Sequence, residues 1–147
     1  MSDIAVVVDR TFASSPEVTF AALADYAKTR AEILPPEITD FTVLDGGTGA
    51  GTRFRYDLHA TKKRIRHVEA TVTEPEAGRQ LLEADGNSTL KVQWNVAESA
   101  GGGSTVTVQV GWQGAGGIGG FFERRFAPAG IKRIYGDELN RLEAALA

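Results

Sequence analysis

From residue 39 to residue 112 apolar and polar side chains alternate with a period of two, in six runs closed by turn-forming residues. Such alternation predicts strands with one buried and one wet face. The breaks fall at Gly46-Gly47-Thr48-Gly49, Thr61-Lys62-Lys63, Pro75-Glu76-Ala77-Gly78, Gly86-Asn87-Ser88 and Ala100-Gly101-Gly102-Gly103. Links this short suit hairpins and leave no room for helical crossovers, so an antiparallel sheet is expected. Ahead of it, residues 4–13 read as a seventh strand, with Ile4, Val6, Val8 and Phe12 on one parity and Arg10 sharing it. Ser15-Pro16-Glu17 then carries helix-start chemistry: a serine cap, proline at the first position and an acid in the positive first turn. Val18, Ala21, Ala22 and Tyr26 would lie along the apolar side of that helix. A second short turn over residues 30–34 is stopped by Pro35-Pro36, because residues before proline avoid the helical region.

At the other end the period lengthens again. Ile131, Tyr135, Leu139, Leu142 and Leu146 recur in steps of three or four and form one stripe of a long helix. Phe122 and Phe126 also repeat at helical spacing, but on a straight helix they would face the opposite way. Pro128 and Gly130 account for the mismatch if the helix kinks or breaks near 127–130.

Register can be argued from side chains. With Thr61-Lys62-Lys63 as a three-residue loop, Tyr56 faces Val68, Phe54 faces Ala70 and Thr52 faces Val72, while Arg55 meets Glu69 and Asp57 meets His67. The same logic at Gly86-Asn87-Ser88 pairs Leu82 with Val92 and Ala84 with Leu90, and sets Glu83 against Lys91 on the wet face. The last strand supplies Val106, Val108, Val110 and Trp112 to the apolar face.

Composition narrows the chemistry. A chain of 147 residues suits a single domain with a sizeable core, residues 1–147 being read as one unit. Cysteine is absent, so there is no disulfide framework and no thiol nucleophile. The first residues are too short and too charged an apolar run for a signal peptide, and no membrane span is present, which points to a cytoplasmic protein without stable membrane insertion. Charge is interspersed and sums to −3, and the one basic cluster, Lys62 to Arg66, reads as a solvated hairpin tip, so no nucleic-acid partner is expected. The glycine clusters lack the Gly-Lys-Ser/Thr ending of a nucleotide loop. His59 and His67 fall on the wet face out of register, so no metal or other cofactor is expected, and no Gly-x-Ser-x-Gly turn supports a serine nucleophile.

One strand, two short helices, six strands and a long helix form an α+β order in which only helices remain to cover the apolar sheet face. The Arg-Thr-Phe-Ala-Ser-Ser-Pro-Glu-Val run, Asp25-Tyr26, Leu34-Pro35-Pro36, Gly51-Thr52-Arg53-Phe54, Thr73-Glu74-Pro75 and the segment from Phe126-Ala127-Pro128 to Leu139-Asn140-Arg141-Leu142 resemble the START-like, or SRPBCC, helix-grip superfamily. More narrowly they resemble its polyketide cyclase/dehydrase and lipid-transport group. The resemblance implies a seven-stranded curved antiparallel sheet gripping a kinked C-terminal helix, with a hydrophobic cavity between them.

Such a cavity would bind a lipophilic or aromatic small molecule. Its candidate walls are Phe54, Tyr56, Trp94, Trp112 and Tyr135, aromatic surfaces with polar tips, among apolar neighbours Leu58, Val92, Val108, Val110 and Leu139. The same aromatics could instead fill a close-packed core. Polar residues on the apolar parity, Arg10, Thr52, Glu74 and Gln80, should be paired, near strand ends or facing a pocket. Arg10 could anchor a ligand carboxylate, pair with Glu74 or sit at a solvated rim. The alternative function is a cofactor-free polyketide cyclase, aromatase or dehydratase, which would need a shaped pocket and one acid–base group, with Tyr56, Glu74 and Arg10 as candidates. Relatives of this fold also include Hsp90-activating modules, but no residue pattern here marks a chaperone surface.

Overall fold

A computed structural model describes residues 3–61, 64–113 and 127–147. The order is β1 (Asp3–Phe12), α1 (Pro16–Ala24), α2 (Thr29–Glu32), β2 (Ile38–Asp45), β3 (Arg53–Thr61), β4 (Arg64–Thr73), β5 (Gln80–Asp85), β6 (Lys91–Glu98), β7 (Ser104–Gln113) and α3 (Ala127–Leu146). All seven strands form one antiparallel sheet in the order β1-β7-β6-β5-β4-β3-β2. Five of the six pairings join chain neighbours, as the short links demand, and β1 closes against β7. The α3 helix packs over β1 and β3 while α1 lies against β6 and β7, so the inner face is gripped around one long helix as expected.

The first hairpin has the expected register: Tyr56 opposite Val68, Phe54 opposite Ala70, Arg55 opposite Glu69 and Asp57 opposite His67. Near the tip the register shifts between His59 and Thr61, so Thr61 pairs with Arg64 and belongs to β3, not to the expected three-residue loop; Lys62-Lys63 lie outside the described residues. Asp57 accepts a 2.6 Å hydrogen bond from His67, which holds its carboxyl below the usual range. The second hairpin corrects the sequence reading by one residue. Leu82 faces Gln93, Glu83 faces Val92 and Ala84 faces Lys91, so Leu81, Glu83 and Asp85 point inward and Gln80 points outward beside Asn95. The loop is four residues long, 86–89, because Asp85 turns it from within. Its carboxylate accepts from the amides of Asn87 and Glu69, both at 3.0 Å, and from the Ser88 hydroxyl at 2.6 Å.

Ser15 caps α1 as expected, accepting from the Val18 amide at 3.2 Å, with Pro16 in the first turn. The buried face differs from the one the apolar count selects. Val18 is 52% exposed and Ala21 exposed, while Thr19 and Leu23 are buried. The Thr19 hydroxyl lies 2.7 Å from the Ser104 hydroxyl, which in turn donates to the Ser14 carbonyl at 2.9 Å, so a satisfied polar contact fixes the helix rotation.

On α3, Ile131, Tyr135, Leu139 and Leu142 are buried as expected, joined by Ile134 and by the carboxyl-bearing Glu138. Within the described residues the helix runs from Ala127 through Pro128 and Gly130 to Leu146. The expected change of face toward Phe122 and Phe126 concerns residues outside the described ones. At the far edge β2 is irregular: its register against β3 shifts between Thr39 and Thr42 and again between Val43 and Asp45, and Asp40 has a φ of 56°. No described helix is long and apolar enough to cross a membrane.

Candidate functional site

Three ionisable side chains from three distant elements meet between sheet and helix. Arg30 of α2, Glu83 of β5 and Glu138 of α3 are 4%, 5% and 1% exposed. The α2 helix is only one turn, but it follows Tyr26 and is held by the Asp25 carboxylate, which accepts from the amides of Lys28 and Thr29. That turn points Arg30 into the interior. Its Nη1 donates to the Leu23 carbonyl at 2.9 Å, its Nη2 lies 3.0 Å from Glu83 Oε2, and its Nε lies 3.4 Å from Glu138 Oε2. The guanidinium carbon sits 4.7 Å from the Tyr26 ring centroid and 4.3 Å from that of Trp94. The Tyr26 hydroxyl donates to Glu83 Oε2 at 2.6 Å.

These contacts leave specific atoms unmatched. Arg30 Nε and Glu138 Oε2 are ion-paired but lack hydrogen-bond geometry, and both are fully buried. Burial pushes the Glu138 carboxyl up to about 7; Arg30 opposes the rise and Glu83 adds to it. Burial acts to lower the Arg30 pKa, but Glu83, Tyr26 and Glu138 outweigh it and hold the guanidinium above its ordinary value. Burial, reinforced by nearby acidic groups, also raises the phenols of Tyr26, Tyr56 and Tyr135.

Arg30, Glu83, Glu138, Tyr56 and Tyr135 line a small cavity whose apolar side is Leu34, Ile38, Phe41 and Phe54. Its volume is about 10 Å³, room for a single water. Phe54 stacks between Tyr26 at 5.1 Å and Tyr56 at 5.9 Å, with Phe41 tilted against it at 5.2 Å. Leu34 and Phe41 are only partly buried and form the outer rim.

Of the residues expected at a ligand site, Phe54, Tyr56 and Tyr135 line this cavity. Trp94 is fully buried behind Arg30, its ring edge-on to Tyr135 at 5.9 Å, and Trp112 is buried on β7 opposite Ile4; neither lines the cavity. Arg10 does not line the cavity; it is partly exposed and paired with Glu143 of α3 at 3.0 Å, not with Glu74. Glu74 clips turns together, accepting from the amides of Ala50 at 3.0 Å and Gly78 at 3.2 Å. Thr52 does likewise for the Gly47 amide at 3.1 Å. Gln80 sits on the outer face because of the register correction. His59 and His67 stay on the wet side with Thr39 and Asp57. Arg30, Glu83, Glu138 and Tyr26 were not singled out from sequence as site residues. Only Glu138 leaves a local signal, an acid three residues after Tyr135 and four before Leu142, inside the apolar stripe.

A family model described as polyketide cyclase / dehydrase and lipid transport matches residues 3–147. The chain belongs to this family. One similar solved structure is that of the KanY protein, known from solution NMR, with 40% identity, a TM-score of 0.87 and coverage of 99% of both chains. The family fold also extends to far more divergent sequences. TTHA0849 from Thermus thermophilus is 17% identical with a TM-score of 0.71, covering 98% of this chain and 100% of its own. Major latex-like protein 151 from Panax ginseng is 9% identical with a TM-score of 0.72, at 97% coverage of both. No curated protein sequence matches the chain.

Proposed function

We propose that this member of the polyketide cyclase / dehydrase and lipid transport family binds a lipophilic or aromatic small molecule between the sheet and α3. Its rings would lie against Phe41, Phe54 and Tyr56, and its polar end would meet Arg30, Glu83 and Glu138. The supporting observation is the convergence of one guanidinium and two buried carboxyl groups on a common space. Well-packed apolar residues stabilise an interior as well as or better than a buried ion cluster does, so such a cluster calls for a use. A few convergent polar groups on an aromatic wall are what orients a ligand. The cavity is water-sized in this closed arrangement, so a ligand enters by displacing Leu34 and Phe41 at the rim, the lining side chains least held by neighbours. Titration of isotope-labelled protein with 2-naphthol, followed by amide NMR, should give saturable shifts at residues 30–41, 54–56, 83 and 135–139. Shifts confined to the surface around Arg10, or none at all, would overturn the reading.

A second reading is favoured by one feature. A buried carboxyl near pKa 7 beside the phenols of Tyr56 and Tyr135 is suited to moving a proton at neutral pH. In a cofactor-free cyclisation or dehydration, Glu138 would take a proton from an activated carbon or return one to a departing hydroxyl. Of the acid–base candidates named from sequence, only Tyr56 adjoins that position. If this reading holds, Glu138→Gln abolishes turnover of a matched polyketide-like substrate while leaving its binding measurable.

A further inference from the structure

The charge inventory of the buried cluster says what kind of polar group the ligand carries. Among the described residues Arg30 is the one cation lining the cavity, and its edges are occupied. Nη1 is held by the Leu23 carbonyl, Nη2 by Glu83, Nε faces Glu138, and the aromatic faces of Tyr26 and Trp94 flank the guanidinium plane. A carboxylate is best gripped by two parallel N–H groups of one guanidinium, and none of its edges here presents such a free pair. Tyr26 spends its hydroxyl proton on Glu83. Against this single cation stand two carboxyl groups, both nine-tenths or more buried, and Glu138 Oε2 has no hydrogen-bond partner. What Glu138 Oε2 lacks is a donor. A third acid would bring further negative charge into a dry site where like charges are poorly screened.

Resting on the binding reading above, we infer that the ligand presents an uncharged hydroxyl, of the phenol or alcohol class, to Glu138, and that the site turns away carboxylates such as fatty acids and aromatic acids. The oxygen of that hydroxyl can in turn accept from the Tyr56 phenol, which lines the same space and itself accepts from Tyr135. Selectivity then comes from repulsion of the wrong head group as much as from attraction of the right one.

Two matched probe pairs test this: 2-naphthol against 2-naphthoate, and 1-decanol against decanoate, each titrated into the intact protein at about pH 8, above the raised Glu138 carboxyl, with amide shifts at the cavity residues as readout. The neutral member of each pair should bind at least roughly tenfold more tightly than its acid, since like-charge juxtaposition at a desolvated site is strongly disfavoured. Glu138→Gln removes one carboxyl, so 2-naphthoate should gain affinity and the ratio should narrow. Acids binding the cavity as well as or better than their neutral partners would overturn this inference while leaving the binding site intact. If none of the four probes perturbs the cavity, the binding reading and this inference fall together. Should the variant not fold, the wild-type ratios over both pairs decide the matter.

Discussion

Glu138 ties stability to pH in a direction opposite to most carboxylates. Its carboxyl is raised from 4.5 to about 7 by burial, with Arg30 of α2 working against the rise and Glu83 of β5 and Asp137 of α3 adding to it. In the unfolded chain it loses its proton near 4.5, while the folded protein keeps it until about 7. Between those limits the native state holds the extra proton, so this group's contribution is complete below 4.5, declines as pH rises and is gone above about 7. At 1.36 kcal/mol per pH unit the interval corresponds to about 3 kcal/mol, undiscounted because the side chain is fully buried. Glu138→Gln keeps the shape and removes the titration. Urea unfolding followed by circular dichroism at pH 5 and pH 8 spans most of that interval and should show the wild type losing about 2.5 kcal/mol more than the variant, a midpoint difference on the order of 1–2 M urea. Subtracting the variant cancels contributions common to both proteins. Equal pH dependence in the two proteins would refute the account, because a carboxyl that ionises alike in both states carries no linkage.

Arg30→Leu should destabilise by about 3–5 kcal/mol in urea unfolding, since it leaves Glu83 and Glu138 buried without their cation, whereas Arg30→Leu/Glu83→Leu/Glu138→Leu should recover most of the loss. Equal loss in the single and triple variants would show that packing, not charge, is at issue. Trp94→Ala should cost about 3–5 kcal/mol, because its ring is fully buried against Arg30 and Tyr135 and does not line open space; a cost below about 1 kcal/mol by thermal or urea unfolding would contradict that placement.

The contrast between the two hairpins explains how far the sequence could be read. At β3–β4 the apolar face and the charge pairs agree on one register, and the structure has it. At β5–β6 the inward parity carries Glu83 and Asp85, so counting apolar residues favoured Leu82 and Ala84 and slipped the strand by one. The slip hid Glu83, and with it the site. Thr19 misled the reading of α1 in the same way. In each case a polar group satisfied by a distant partner occupied the buried face, and the partner is not visible in local periodicity. Arg30, Glu83 and Glu138 are separated by more than fifty residues each, and only the gripped sheet joins them. The overall architecture was legible because the period change and link lengths depend on near neighbours alone.

The uneven β2 strand bears on how the protein keeps its own company. β1 and β2 are the two outer strands, and an outer strand offers unpaired amides and carbonyls to any passing chain. Along β2 the two register shifts and the left-handed Asp40 break the regular spacing a foreign strand would need to dock. β1 runs ten residues in unbroken register with β7 and has no such irregularity. Its cover is α3, tethered there by Arg10 and Glu143. Fibril growth or strand exchange would therefore start at β1, and whatever loosens the terminal helix would also expose the sheet's one regular edge.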